Sequence, residues 1–310
     1  MSQLVYEFSP NMIQKMQHYY KNSLVNQPQG AVFRAKTRDA VITAYRSGKV
    51  LFQGSAPAME ANKWVAQRID EQNEQTTSQT QASPYMPPST LFSASHLGSD
   101  EAGTGDYFGP MTVASTYVCA EHIQLLKQIG VKDSKAFTDE TILRLSKEII
   151  ALNIPYSLLI LPNEKYNSLQ QKGWSQGKMK TLLHHYVNKN VLKKIGNQPY
   201  QGIVIDQFCQ PNVFKRHLAS EQETMLDNTY FITKAEQYSI AVAAASILAR
   251  ASFLEKMNEL SLQIGIQLPK GASQKVDQTI ATIMKKHGER ALYSVAKVHF
   301  ANSKKAKKYL

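Results

Sequence analysis

Two carboxylates stand side by side at Asp100 and Glu101, directly before a turn punctuated by Gly103, Gly105 and Gly109. Glycines at that spacing let main-chain N–H groups come close to a ligand that a Cβ would hold off. Acids beside such a turn suit a hard divalent cation facing a phosphate. The flanking stretches Leu91–Ser99 and Met111–Cys119 are short and apolar, the second rich in β-branched and aromatic side chains, so both read as strands. Neighbouring side chains on a strand point to opposite faces, so Asp100 and Glu101 can serve one ion only where the strand ends or twists. A solvated turn with incidental acids accounts for this stretch equally well, and the decision rests on acids elsewhere.

Asp206 lies near the end of the apolar run Gly202–Phe208, and Glu236 follows Thr229–Thr233 just ahead of an alanine-rich helical stretch, Gln237–Leu260. A charge at the end of an apolar strand is costly unless it meets solvent or a cation, and a helix N-terminus favours an anion. Acids at or near the C-terminal ends of several strands can gather although they are distant in sequence. Mg2+ and Mn2+ take oxygen ligands and keep waters, so carboxylates plus a substrate phosphate satisfy them. Neither a Cys/His zinc spacing nor a P-loop occurs. Asp106, beyond the turn, and Asp133, in a loop-like KDSK run, are lesser ligand candidates. Ser134 and Lys135 of that run either contact a phosphate or are ordinary turn residues. His184 and His185 lie in a helix with no third ligand in view and read as structural or exposed.

The elements that must position these residues fill the second part of the chain. At 310 residues the chain exceeds what one core usually supports, so two domains are expected. Residues 1–70 read as a small α+β domain: a helix over Ser9–Asn26, strands at Ala31–Ala35, Ala40–Tyr45 and Lys49–Gln53, and a helix over Ala58–Ile69. Its alternation exposes either Phe33, Tyr45 and Phe52 or Arg34, Lys36 and Lys49, and a basic sheet carrying aromatics can hold a nucleic-acid backbone. Residues 71–90 are rich in Gln, Ser, Thr and Pro and read as a linker. Residues 91–310 alternate strand-like and helix-like segments, with further strands at Pro155–Leu161, Gly202–Phe208 and Thr229–Thr233 and a long helix over Ser175–Ile195. That order implies an α/β architecture with a mixed sheet, closed by a basic C-terminal helix within the lysine-rich Lys297–Leu310.

The 36 Lys and Arg against 24 Asp and Glu give +12, which favours a polyanionic partner such as nucleic acid. Cys119 and Cys209 sit in or next to apolar runs and read as buried thiols rather than a bridge. The opening residues lack a secretory signal, and the longest uncharged helical candidate, Tyr238–Ala249, is too short to span a bilayer. A soluble, cytoplasmic, monomeric protein is expected.

Four segments in fixed order, SDEAGTGDYFGP, VKDSKAFTD, GIVIDQF and TKAEQYSIAVAAASILAR, resemble the type 2 ribonuclease H family. The Gly-Thr-Gly form of the loop, Glu at the fourth acid position and the extra N-terminal domain resemble one branch of it. The resemblance implies a ribonuclease H-like mixed sheet with helices, preceded by a domain like the TATA-binding-protein fold that grips substrate. It also implies endonucleolytic hydrolysis of the RNA strand of RNA–DNA hybrids with Mg2+ or Mn2+. Asp100, Glu101, Asp206 and Glu236 fall on the family's catalytic, metal-binding acids, with Asp100 bridging two ions. Gly103, Thr104 and Gly105 fall on the loop whose backbone touches 2′-hydroxyls. Two-metal hydrolysis leaves 3′-hydroxyl and 5′-phosphate ends. Members of the family's other branch usually carry Arg where Thr104 stands and Asp where Glu236 stands, which sets apart their cutting at single embedded ribonucleotides.

Overall fold

The computed structural model describes residues 2–28, 30–65, 84–132 and 137–310. The chain divides into two compact units, Met1–Ser83 and Pro84–Leu310.

In the first unit Ser9 caps α1 (Pro10–Tyr19), its Oγ accepting the Met12 N–H at 3.1 Å with Pro10 in the opening turn. The helix stops at Tyr19, short of the expected Asn26, where the chain passes into a tighter turn at Lys21–Ser23. An antiparallel sheet follows the order β1-β4-β3-β2, from β1 (Ser2–Glu7), β2 (Ala31–Lys36), β3 (Ala40–Tyr45) and β4 (Lys49–Gly54). β1 was not expected; it adds to the meander beside β4, with Val5 opposite Leu51. Strand alternation sends Phe33, Ile42 and Phe52 inward against Met12 and Met16 of α1 and Trp64 of α2, the helix at residues 57–65. Arg34, Lys36 and Lys49 take the other face, and Tyr45 goes with them rather than with Phe33 and Phe52, so the outer face carries the basic set together with one of the three aromatics.

The second unit is built on a five-stranded mixed sheet in the order β7-β6-β5-β8-β9. Its strands are β5 (His96–Ala102), β6 (Met111–Val118), β7 (Tyr156–Leu161), β8 (Ile203–Asp206) and β9 (Thr229–Ile232). β5, β6 and β7 pair antiparallel, while β8 lies parallel to both β5 and β9. The helices are α3 (Ala120–Gln128), α4 (Asp139–Ala151), α5 (Asn163–Gln171), α6 (Gln176–Ile195), α7 (Pro211–Ala219), α8 (Ile240–Ile264) and α9 (Gln274–His287), then the short α10 (Leu292–Val295) and α11 (Asn302–Lys305). One sheet face packs on α8 with α3 and α4 behind it, the other on α6 and α7.

The alanines of α8 let it come unusually near the sheet. A Cβ on Gly98 of β5 would lie 2.3 Å from Val242 N and 2.5 Å from Ala241 C. Helix backbone therefore rests directly on strand backbone, immediately below Asp100.

Three expectations need correction. Residues 84–90 belong to the second unit rather than to a linker, since the Tyr85 carbonyl accepts the Phe231 N–H at 2.8 Å and the two rings meet edge to face. The basic C-terminal helix is one turn, α11, followed by a 3-10 turn at Ala306–Tyr309. Lys297, which opens the lysine-rich stretch, lies outside the helix and is fully buried. Cys119 and Cys209 are free and half-buried. No helix among the described residues is long and apolar enough to cross a membrane.

Candidate active site

The site begins with the register of two strands. β5 pairs with β8 as far as Ser99 opposite Ile205. Asp100 and Asp206 are the next residues on these adjacent parallel strands, which lie about 4.8 Å apart. Alternation gives them the same face: Ile203 and Ile205 pack toward α6 and α7, whereas Val204, two before Asp206, packs on Val242 of α8. Asp100 follows Gly98 on that same α8 face.

Burial, then the charges of Glu101 and Asp206, push the Asp100 carboxyl up to about 8, against hydrogen bonds from the Ser246 hydroxyl and the Glu101 N–H. A carboxylate in this position either takes a proton or takes a cation. Asp206 Oδ1 accepts the Ala235 N–H at 2.9 Å, which ties the strand end to the 3-10 turn Ala235–Gln237. Glu236 sits in that turn and is buried.

Glu101 takes the opposite face, as alternation requires of a strand that continues through it. Its carboxylate pairs with Lys180 and accepts His184 Nε2–H at 2.8 Å, both from α6. His184 Nδ1 is in turn 2.9 Å from Ser99 Oγ. Burial alone would raise the Glu101 pKa; the hydrogen bonds and electrostatic interactions with His184 and Lys180 outweigh it and hold the carboxyl below its usual range. Phe208 floors this arrangement, with Lys180 over its ring at 4.1 Å and His184 stacked on it at 5.2 Å. The structure thus brings Asp100, Glu101 and Asp206 into one electrostatic group and puts Glu236 beside Asp206. Among the described residues no three His, Cys, Asp or Glu side chains stand in metal-holding arrangement.

The glycine turn lies at the same edge of the sheet. The Asp106 N–H donates to Gly103 O, closing a tight turn through Thr104 and Gly105. Gly103 has φ +81°, and a Cβ there would meet Pro110 O at 2.3 Å, so no other residue fits. Asp106 Oδ1 accepts the Gly271 N–H at 2.6 Å, which makes Asp106 part of the scaffold. Lys297 Nζ donates to Asp106 O at 2.9 Å and Gly109 O at 2.5 Å, and Asn163 Nδ2 donates to Gly109 O at 2.8 Å. Gln176 Nε2 donates to Thr104 O at 2.9 Å. Asp133, Ser134 and Lys135 lie outside the described residues. Sequence reasoning missed Lys180, Gln176 and Lys297, whereas His184, read as structural or exposed, is the structural case, buried between Ser99 and Glu101. The one usable signal was the four-residue spacing of Lys180 and His184, which puts both on one helix face; His184 is neither exposed nor idle, and His185 is held by Glu223 at 3.0 Å.

Residues 97–303 match the ribonuclease HII family, and residues 3–94 match a domain of unknown function. Ribonuclease HIII of Oceanobacillus iheyensis is 56% identical over 310 residues, with 100% of both chains covered. That of Bacillus licheniformis is 49% identical, over 99% of this chain and 98% of its own. The chain belongs to the ribonuclease HII family, in its ribonuclease HIII group. Among solved structures, Bst-RNase HIII in complex with Mn2+ is 40% identical with a TM-score of 0.69, covering 99% of this chain and 98% of that one. RNase H3 of Aquifex aeolicus, 22% identical with a TM-score of 0.55 over 96% of this chain and 99% of its own, shares the fold.

For a ribonuclease HIII the donor set at the sheet edge is chemically apt. The donors brought together are carboxylate oxygens, which suit a hard divalent cation. The buried Asp100 and the half-buried Asp206 on the adjacent strand also repel one another, which favours a positive charge between them.

Proposed function

We propose that this ribonuclease HIII hydrolyses the RNA strand of RNA–DNA hybrids endonucleolytically, using Mg2+ or Mn2+ held by Asp100, Glu101, Asp206 and Glu236 and leaving 3′-hydroxyl and 5′-phosphate ends. The observation that carries the reading is the placement of Asp100 and Asp206 next to each other at the strand ends, beside a turn whose main chain is open to a sugar. When bound, two such ions neutralise the scissile phosphate, lower the pKa of the attacking water and stabilise the leaving 3′-oxygen. The chain's own residues prepare that chemistry. Asp100, next to Glu101 in the chain and beside Asp206 on the adjacent strand, would hold the cations together with both. Lys180 and His184 hold Glu101 and keep its carboxyl ionised, and the Ala235 N–H orients Asp206. RNA is told from DNA by its 2′-hydroxyl, which the Gly103–Gly105 backbone meets. The basic outer face of the first unit grips the duplex backbone, with Ser134 and Lys135 adding phosphate contacts at the second. The protein acts as a monomer in the cytoplasm.

Digestion of matched substrates tests this: an RNA–DNA hybrid and a duplex DNA of the same sequence, each with Mn2+, Mg2+ or chelator. Cleavage of the RNA strand alone, dependent on metal and giving 5′-phosphate ends, is expected. Cleavage of the DNA duplex, or binding without metal-dependent cleavage, contradicts the reading.

A further inference from the structure

The Gly-Thr-Gly turn contains two glycines whose circumstances differ. Gly103 is imposed by its own fold, through a positive φ and a packed Cβ position. Gly105 is imposed by nothing among the described residues: its φ is not positive, and a Cβ would meet none of their atoms within 4 Å. Glycine there keeps space clear for an approach from outside.

The peptide between Thr104 and Gly105 has one end anchored. Gln176 Nε2 donates to Thr104 O at 2.9 Å and, with its other hydrogen, to the Tyr166 hydroxyl at 3.1 Å. Both amide hydrogens are used, so the side chain has one orientation. Tyr166 is buried and stacked on His299 at 5.5 Å, and Gln176 is the first residue of α6, whose start is fixed by Ser175 Oγ accepting the Lys178 N–H. In a trans peptide the C=O and the following N–H point in opposite directions. Holding Thr104 O toward α6 therefore turns the Gly105 N–H toward the open side.

We propose that Gln176 is a positioning residue for ribose recognition: through Thr104 O it fixes the peptide whose N–H faces the substrate 2′-hydroxyl. This rests on the hybrid-cleaving reading above. Gln176 touches no substrate atom; without it the peptide is free to rotate, and the donor is lost as a fixed point while the carboxylates stay in place.

The test is a double-mutant cycle on the full chain in Mn2+. Wild type, Gln176→Leu and Gln176→Glu are each assayed on a hybrid with an all-ribose strand. A second strand carries 2′-deoxyribose at the sugar on the 5′ side of the mapped cut. Glu keeps the size of Gln but has no hydrogen to give, and Leu removes polarity altogether. Both variants should lose about tenfold or more in kcat on the all-ribose strand with little change in KM, and the penalty for deleting the 2′-hydroxyl should shrink by a similar factor. Thermal midpoints should stay within about 3 °C of wild type. A merely structural Gln176 would lower activity on both strands alike. An undiminished 2′-deoxy penalty in both variants overturns the proposal while leaving the hybrid-cleaving function intact. A wild-type enzyme that leaves the all-ribose strand uncut overturns that function and this inference with it.

Discussion

Lys297 carries no exposed surface, and its amine donates into the carbonyls of Asp106 and Gly109 that shape the glycine turn. Burial pushes its pKa from 10.5 down to about 7, only partly opposed by the charge of Asp106. Between those values the unfolded chain holds a proton that the folded chain has released. The stability contributed at this site therefore rises with pH across that window, by up to about 1.4 kcal/mol per unit, and the cost of charging is felt in full below it. Urea unfolding between about pH 7.5 and about pH 9.5 should give wild type a more positive slope of stability against pH than Lys297→Met. Equal slopes would show that the amine stays charged. A second residue-scale expectation concerns Gly105→Ala. Its added methyl meets nothing, so the unfolding midpoint should be unchanged, while hybrid cleavage falls at least about tenfold because the methyl occupies the space kept for the sugar. At this scale the acids were legible because each stands at the end of an apolar run. Lys297, Gln176 and Lys180 were not. A lysine in a lysine-rich stretch gives no local sign that it folds back inward, and a glutamine at a helix start looks like any other solvated residue.

At the scale of elements, the site depends on α8 lying directly on β5. Gly98→Ala drives a methyl into the backbone of Ala241 and Val242, which cannot yield as a flexible side chain would. We expect a loss of about 1–3 kcal/mol in chemical denaturation. Activity should fall further than stability, since Ser246 moves with α8 and with it the hydrogen bond to Asp100. Wild-type stability in this variant would mean that the helix has slack. The β-strands were largely legible from their β-branched, apolar runs, and their ends moved by only a few residues. β1 was not, because SQLVYE alternates polar with apolar over a few residues and gains its identity from pairing with β4. The end of α1 was also missed, as the apolar spacing continues to Leu24 while the backbone tightens at Lys21. The convergence of Asp100 and Asp206 follows from parallel pairing of β5 and β8, which no local pattern encodes.

At the scale of the whole molecule, the two units divide labour in the proposed account. The division between Ser83 and Pro84 falls inside the stretch whose composition marked it as a linker, although its last residues pack on β9. Removing residues 1–70 should weaken hybrid affinity far more than it lowers turnover at saturation, read as a rise in KM with little change in kcat. It should also flatten the dependence of affinity on salt, because fewer cationic side chains meet phosphates. Unchanged affinity and salt slope would dismiss the gripping role. The net charge of +12 made a polyanionic partner legible from composition. Which side chains the first unit leaves on its outer face was decided only by the register that turns Phe33 and Phe52 inward.

The central claim is that Asp100 and Asp206 share a divalent cation at the ends of β5 and β8. The most direct measurement pairs a Mn2+ binding isotherm with hybrid cleavage for wild type and Asp206→Asn, both checked for an intact fold. The account predicts Mn2+ affinity weakened about tenfold or more and cleavage reduced on the order of a thousandfold. An Asp206→Asn enzyme that binds Mn2+ and cuts the RNA strand as wild type does would contradict it.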